Sequence, residues 1–181
     1  AMRMMAAAAP MMEEEALFEY HLYSLAQPTT IADNQSKQVA LLAGQGIPVR
    51  KELIFNGSDY YYRAQQREIG AKLKASVFLE IDNREEANLG LPLPKGIIRI
   101  YKKDSQGKAQ FVGEDRIDHT PKNETLRLKL GEAFDVTADK TQTDFVKLSG
   151  MGPGQYQFES AFRIRLRNAK PEAVTVKVRE P

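Results

Sequence analysis

The sequence predicts an all-β fold, an antiparallel β-sandwich of immunoglobulin-like character with about ten strands and little helix. The first observation behind this prediction is a hydrophobic period of two, which runs through most of the chain from Leu17 onward. The second is that short apolar segments are separated by turns rich in Gly, Pro and Asn. The third is that helical periodicity is scarce, with residues 64–73 as the only candidate.

The clearest strand lies at residues 155–168, where apolar and polar side chains alternate. Successive side chains of a strand point to opposite faces, so one face of this strand is predicted to be buried and the other wet. Residues 173–180 repeat the alternation, and the segment 168–172 between them has the composition of a turn. The two segments are therefore predicted to pair with each other as a hairpin.

The remaining strands are predicted from the same alternation. Gly44-Gln45-Gly46 is predicted to form a turn, and Ser105-Gln106-Gly107 is predicted to close a tight hairpin. In chain order, these predicted strands are 17–25, 37–44, 47–55, 74–82, 96–104, 109–118, 125–130, 133–139 and 143–149.

Composition excludes several classes of function. A chain of 181 residues with 42% hydrophobic and 28% charged residues is typical of one globular domain. A net charge of +2 is too small to indicate a nucleic-acid or membrane partner by itself. The absence of cysteine excludes disulfides, thiolate-bound zinc and thiol catalysis. No apolar run approaches the roughly 20 residues that a membrane-spanning helix needs.

The first sixteen residues differ in composition from the rest. They are rich in Ala and Met, are interrupted by Pro10, and lead into three glutamates at 13–15 where a signal peptide would have a small-residue cleavage site. We therefore predict that residues 1–16 are a low-complexity linker or a cloning remnant. The β-sandwich domain is predicted to occupy residues 17–181.

One acidic stretch offers candidates for acid/base or metal chemistry. The candidate catalytic residues are Glu114, Asp115, Asp118 and His119. Residues four apart in an extended strand lie roughly 13 Å from each other, which is too far to share one metal ion. The sequence therefore favours the polar side of a salt-bridged hairpin, in which Arg116 neutralises its acidic neighbours and Ile117 faces the core. A functional site remains the alternative.

The chain contains two histidines, His21 and His119. A site that combines both histidines with Asp115 or Glu114 is geometrically possible if their strands are neighbours. The sequence contains no His-Glu-x-x-His metal motif, no Gly-x-Ser-x-Gly elbow and no complete nucleotide-binding glycine motif. We therefore predict no metal and no cofactor.

Two clusters offer candidates for ligand binding. Aromatic rings can stack on bases or sugars, although consecutive tyrosines cannot all face one side of a strand, so packing within a connecting segment is the favoured interpretation. A stripe of arginines can contact phosphates, but more often it keeps an exposed sheet face polar and discourages edge pairing. The candidate residues are Tyr60, Tyr61, Tyr62, Arg163, Arg165 and Arg167.

Four blocks of the sequence carry a family resemblance. The first, 18–42, contains Pro-Thr-Thr-Ile followed after five residues by Lys-Gln, and the second, 88–104, contains Gly-x-Pro-Leu-Pro-x-Gly. The third and fourth blocks are 111–136 and 163–181. In this order they resemble the bacterial domain of unknown function 4139 family, whose members include mucoidy-inhibitor-like proteins.

The resemblance implies a β-sandwich-like domain that follows a helical or low-complexity region in exported or envelope proteins. It implies no catalytic residues. Family members usually continue with further strands beyond the segment that matches residues 178–181, so the domain is expected to lack its last strands. The resulting open strand edge or groove is expected to be filled by a neighbouring chain, as in a homo-oligomer, or to stay accessible.

From these observations we expect a non-catalytic binding or scaffolding module of a bacterial cell-envelope protein, located in the periplasm or at the envelope. Sheet edges and loops such as 88–96 and 151–155 would bind a protein or another envelope component. No nucleic-acid partner and no transmembrane segment are expected. The alternative is a metal-dependent or acid/base hydrolase that uses residues 114–119, and weak nucleic-acid binding through the arginines and tyrosines ranks third.

Overall fold

A computed structural model describes residues 12–25, 28–58, 64–66, 69–148, 152 and 157–180. The prediction of an all-β fold is confirmed, since this part of the chain contains nine strands, one 3₁₀ turn at Glu85–Ala87 and no α-helix. The strands are β1 (Glu13–Leu17), β2 (Tyr20–Ser24), β3 (Val49–Asn56), β4 (Gly70–Asp82), β5 (Gly96–Lys103), β6 (Ala109–Ile117), β7 (Thr125–Leu148), β8 (Gln157–Asn168) and β9 (Val176–Arg179).

The central sheet has five strands in the order β8-β7-β4-β3-β9, antiparallel except for the parallel pair β3–β9. Two smaller sheets are the hairpins β1–β2 and β5–β6. Within the described residues, no helix is long and apolar enough to cross a bilayer. The sandwich arrangement and its immunoglobulin-like character both stay predictions.

The predicted hairpin between 155–168 and 173–180 is wrong. The strands β8 and β9 lie at opposite edges of the five-stranded sheet, and Val176 of β9 pairs in parallel with Leu53 of β3. The intervening segment does turn, because the Asn168 side chain accepts a hydrogen bond from the Lys170 amide. Alternation predicts which face of a strand is buried, but it carries no information about which strand lies alongside.

Three of the predicted strands, 125–130, 133–139 and 143–149, form one strand of 24 residues, β7. Its pairing with β4 shifts register at Leu130 and again over residues 134–136, where extra residues of β7 have no partner. Gly131 has a φ of 128°, and Phe134 is 82% exposed. At each bulge the apolar residues change from even to odd positions or back. The sequence therefore shows three short alternating segments, although the structure has one bent strand.

Two other predicted strands are also corrected. The segment 17–25 contains the end of β1, a two-residue turn at Phe18 and Glu19, and β2. Phe18 adopts a left-handed conformation with a φ of 60°. Bulky residues seldom adopt this conformation, so the sequence gives no sign of a turn here. The segment 37–44 forms no strand; no described strand pairs with it, and Val39 is 45% exposed. Residues 70–73 of the one candidate helix belong to β4.

The hairpin predicted at Ser105-Gln106-Gly107 is confirmed as the connection between β5 and β6. The Asp104 carboxylate accepts hydrogen bonds from the amides of Gln106 and Lys108, each at 2.9 Å. Gly107 has a φ of 80°, so the glycine meets the conformational demand of the turn.

The core forms on one face of the five-stranded sheet in two clusters. In the first, Leu53 of β3, Ala75 of β4 and Val136 of β7 are buried together, and Val176 of β9 packs against them. The second contains Leu126 and Leu128 of β7 with Ile117 of β6, covered by Ile98 and Ile100 of β5. The β5–β6 hairpin therefore packs across one end of the larger sheet.

An ion pair with a buried lysine lies on the sheet beside β8. The Lys140 side chain of β7 is fully buried, and its ammonium group contacts the Glu180 carboxylate and lies 4.8 Å from the ring centroid of Phe162. Glu180 directly follows β9, so this pair links β7, the neighbour of the edge strand β8, to the chain beyond the opposite edge strand. Removing one partner of such a pair is costly because the other charge stays buried.

The opposite face of the sheet is covered by ion pairs. Arg50 of β3 bonds Asp82 at 2.7 Å, while Arg127 of β7 lies 3.3 Å from Glu52 and 4.4 Å from the ring centroid of Phe78. Hydrogen bonds from Arg50 and Thr125 lower the pKa of Asp82 to about 2. Asp82 therefore stays ionised in the folded protein under acidic conditions.

We expect the stability of the protein to fall between about pH 4 and pH 2, in part because of Asp82. Its folded pKa lies below its unfolded pKa of about 3.9, so its contribution is complete above pH 4 and is lost as the pH falls through the folded pKa. Urea midpoints measured from pH 5 to pH 2 should fall less steeply in Asp82→Asn. The control Asp33→Asn, at an exposed residue, should reproduce the wild-type slope, and equal slopes in all three proteins would contradict the prediction.

Candidate functional site

The acidic residues of the 114–119 region bind partners on different elements. Glu114 of β6 accepts a hydrogen bond from Arg99 of β5 at 3.0 Å, directly across the hairpin. Asp118 lies 2.8 Å from the ammonium group of Lys95, and this hydrogen bond lowers the pKa of Asp118. Arg116, the expected neutralising residue, makes neither contact.

Asp115 bonds the backbone of two strands. Its carboxylate accepts hydrogen bonds from the Arg116 amide at 2.8 Å and from the Lys129 amide of β7 at 2.7 Å. Lys129 lies next to the bulge at Leu130, where the β4–β7 ladder is interrupted. Gly113 allows this approach, because a β-carbon there would lie 3.0 Å from the Leu130 carbonyl oxygen. Asp115 therefore fastens β6 to the bulged part of β7.

We expect Asp115→Ala to lower the free energy of unfolding by about 1–2 kcal/mol, because the Lys129 amide loses its acceptor beside an interrupted ladder. Glu114→Ala on the same strand is the matched control and should cost less, because it removes an exposed ion pair that water replaces. Urea unfolding monitored by circular dichroism measures both values. A larger loss for Glu114→Ala would contradict this assignment.

The predicted binding residues are the three tyrosines at 60–62 and the arginine stripe of β8. Tyr60, Tyr61 and Tyr62 lie outside the described residues, as does most of the loop 151–155. The arginine stripe projects from β8 beside Asp139 of β7, which faces Arg165 in the pairing and lies 2.7 Å from Arg167. The pKa of Asp139 is lowered by the hydrogen bond from the Lys72 amide and then by Arg167. Arg163 is exposed on the same side.

Both histidines border one cavity. It has a volume of about 450 Å³ and lies between the β1–β2 hairpin and the segments 92–94 and 119–121. The hairpin contributes His21, Tyr20, Tyr23 and Glu19, and the segment on the other side contributes His119. We call it the histidine cavity. The sequence left open a site that contains both histidines. The carboxylate that lines the cavity together with them is that of Glu19, not that of Glu114 or Asp115.

The two segments of the far wall are held by Asn83, which is fully buried at the end of β4. Its amide nitrogen donates to the carbonyls of Leu91 and Pro121 at 2.7 and 2.8 Å, and its oxygen accepts from the Leu91 amide at 3.1 Å. Leu93 and Thr120 then exchange two backbone hydrogen bonds of 2.9 Å. Sequence reasoning missed Asn83, because an asparagine after a strand looks like an ordinary turn residue.

The hairpin wall is attached through Tyr23. Its hydroxyl donates a hydrogen bond to the Pro92 carbonyl at 3.0 Å, and burial followed by the nearby Glu14 charge raises the pKa of Tyr23. Tyr23 and His21 lie on the face of the hairpin that turns toward Pro92, because they share the parity of β2. Tyr20, of the opposite parity, is 75% exposed at the rim.

Each imidazole has one nitrogen engaged outside the cavity. His21 Nδ1 lies 2.7 Å from the Glu14 carboxylate, which can only accept, so this Nδ1 carries a proton and the neutral ring keeps a lone pair on Nε2. His119 Nδ1 accepts the Lys95 amide at 3.3 Å, so the neutral ring carries its proton on Nε2. One histidine therefore offers a hydrogen-bond acceptor and the other offers a donor.

The histidine cavity does not contain a recognisable metal-ligand set. In the part of the chain that the structure describes, no three His, Asp or Glu side chains are grouped closely enough to hold a metal ion. Glu14 is already bonded to His21. What the walls offer is two imidazoles of opposite hydrogen-bonding character, two tyrosine rings, three prolines and the Glu19 carboxylate.

Comparison of the chain with protein families, with curated proteins and with solved structures gives no match. The resemblance to the domain of unknown function 4139 family therefore stays a prediction from sequence blocks.

We expect Asn83→Ala to destabilise the protein by about 3 kcal/mol, because three partly buried hydrogen bonds are lost and backbone groups of Leu91 and Pro121 lose their partner. Amide hydrogen exchange at Leu93 and Thr120 should accelerate, since these residues pair only while the two segments are held together. The control Asn56→Ala, at an exposed strand end, should change stability by less than about 0.5 kcal/mol. Unchanged exchange at both amides would contradict this role for Asn83.

Proposed function

We propose that this chain is a non-catalytic binding or scaffolding module of a bacterial cell-envelope protein, and that what it binds is another polypeptide. The observation that carries the proposal is the ring-lined histidine cavity between the β1–β2 hairpin and two segments that Asn83 holds by hydrogen bonds. The envelope location rests on the family resemblance alone.

The absence of a converging reactive set in the 114–119 region supports a non-catalytic role. Catalysis needs functional groups within about 3 Å of one reacting atom. Glu114 is bonded to Arg99, Asp118 is bonded to Lys95, and Asp115 is bonded to backbone amides. Each acidic group is therefore engaged with a different part of the fold.

The edges of the five-stranded sheet support a scaffolding role. No described strand pairs with the outer edge of β8 or of β9. A partner strand, including one from a second copy of this chain, could add to either edge by backbone hydrogen bonds. On β8, Arg163 and Arg165 are exposed next to this edge and oppose unselective pairing.

Acid/base hydrolysis is the second candidate function, and one observation favours it. The Glu14–His21 pair orients an imidazole at the same cavity as His119, which resembles a base held by a carboxylate. The site would then be the histidine cavity, with His119 as the only contribution of the 114–119 region.

Site-specific photo-crosslinking tests the proposal. The chain is produced in bacterial cells with p-benzoylphenylalanine in place of Tyr20, at the cavity rim, or in place of Gln106, in the exposed β5–β6 turn. We expect a discrete polypeptide adduct from position 20 and none from position 106. In parallel, purified protein is assayed with ester, peptide, glycoside and phosphoester substrates. Turnover that disappears in both His21→Ala and His119→Ala would overturn the proposal in favour of hydrolysis.

A further inference from the structure

We propose that the histidine cavity binds an extended, proline-containing peptide that carries a basic residue and at least one free backbone amide. The inference rests on the proposed function and names the ligand class of the same site. Three independent features of the cavity select this class: its hydrogen-bonding groups, its walls and its charge.

The hydrogen-bonding groups match a peptide unit. In its neutral form His21 offers an acceptor on Nε2, because its Nδ1–H bonds Glu14, and neutral His119 offers a donor on Nε2, because its Nδ1 accepts the Lys95 amide. A polypeptide backbone presents both complementary groups, an N–H and a C=O. A divalent cation would need lone pairs from both rings, and a phosphate would need donors from both.

The walls match a polyproline-type segment. Tyr23 supplies a ring on one side and Tyr20 a second ring at the rim, while Pro92, Pro94 and Pro121 supply apolar surface on the other side. Extended proline-rich peptides dock in grooves lined by aromatic rings, and they lose little conformational entropy because they are already ordered. Asn83 and the Leu93–Thr120 pairing keep the proline wall in place before a ligand arrives.

The charge of the cavity favours a basic ligand. Glu19 lines the cavity and makes no salt bridge with any described residue, and Glu14 carries a second negative charge at His21. Lys95, whose backbone amide bonds His119, has its ammonium group paired with Asp118 at 2.8 Å. A lysine or arginine next to the prolines would complement Glu19.

Fluorescence anisotropy with defined peptides tests the inference. The probe is fluorescein-labelled Lys-Pro-Ala-Pro-Pro-Lys amide, in which alanine supplies the one free backbone N–H between the prolines. One comparison peptide has glutamate in place of both lysines, and another has N-methylalanine in place of alanine. We expect at least tenfold weaker binding of the acidic peptide and about fivefold weaker binding of the N-methyl peptide, which loses one hydrogen bond.

Variants of the protein separate the two imidazoles. In His21→Phe the ring is kept but the acceptor is lost, so the alanine and N-methylalanine peptides should bind equally. His119→Phe should weaken the binding of both peptides. His119→Gln should keep part of the affinity, because the glutamine amide can donate from a similar position. Circular dichroism of each variant verifies that the fold is retained, as both histidines are exposed in part.

The outcomes distinguish this inference from the proposed function. If the peptides do not bind but position 20 still crosslinks to a polypeptide, the ligand class is wrong and the proposed function stands. If cellotetraose or Zn²⁺ binds instead, and both His21→Phe and His119→Phe lose this binding, the inference is overturned in favour of a saccharide or metal site. If wild type, like His21→Phe, binds the alanine and N-methylalanine peptides with equal affinity, the role of the His21 acceptor is overturned.

Discussion

The bent strand β7 is the element on which the rest of the structure depends. It pairs with β4 along residues 125–140 and with β8 along residues 136–148, and its bulge at Leu130 receives β6. Its two bulges shift the parity of the apolar residues, so these residues stay on the core face along the whole bent strand. The core on that face consists of one cluster under the β5–β6 hairpin and another beside β9.

Polar side chains complete the backbone pairing where β7 and its neighbours depart from regular ladders. Asp115 bonds the Lys129 amide beside the bulge, and Asn83 bonds the segments that follow β4 and β6. Lys140 and Glu180 form an ion pair that joins β7 to the chain beyond β9. These groups have the residue types of an active site, yet each is engaged in holding the fold, because a buried or unpaired backbone group costs free energy.

The histidine cavity is a consequence of this fastening. Because Asn83 fixes the segments on either side of Leu93 and Thr120, His119 has a defined position opposite the β1–β2 hairpin. The hairpin is attached by Tyr23 and presents His21 with its Nδ1 bonded to Glu14. In their neutral forms the two rings thus carry their protons on different nitrogens, because each Nδ1 bonds a group outside the cavity.

The sequence by itself determined the strand character of most segments, the burial of Ile117 and the β5–β6 turn, because side-chain alternation and turn chemistry are local. Tertiary structure alone decided that β9 lies beside β3, that β7 is continuous through its bulges, and that His21 and His119 share a cavity. Each of these depends on contacts between distant parts of the chain. A period of two specifies the face of every strand, while the choice of neighbour is made by the packing of the whole sheet.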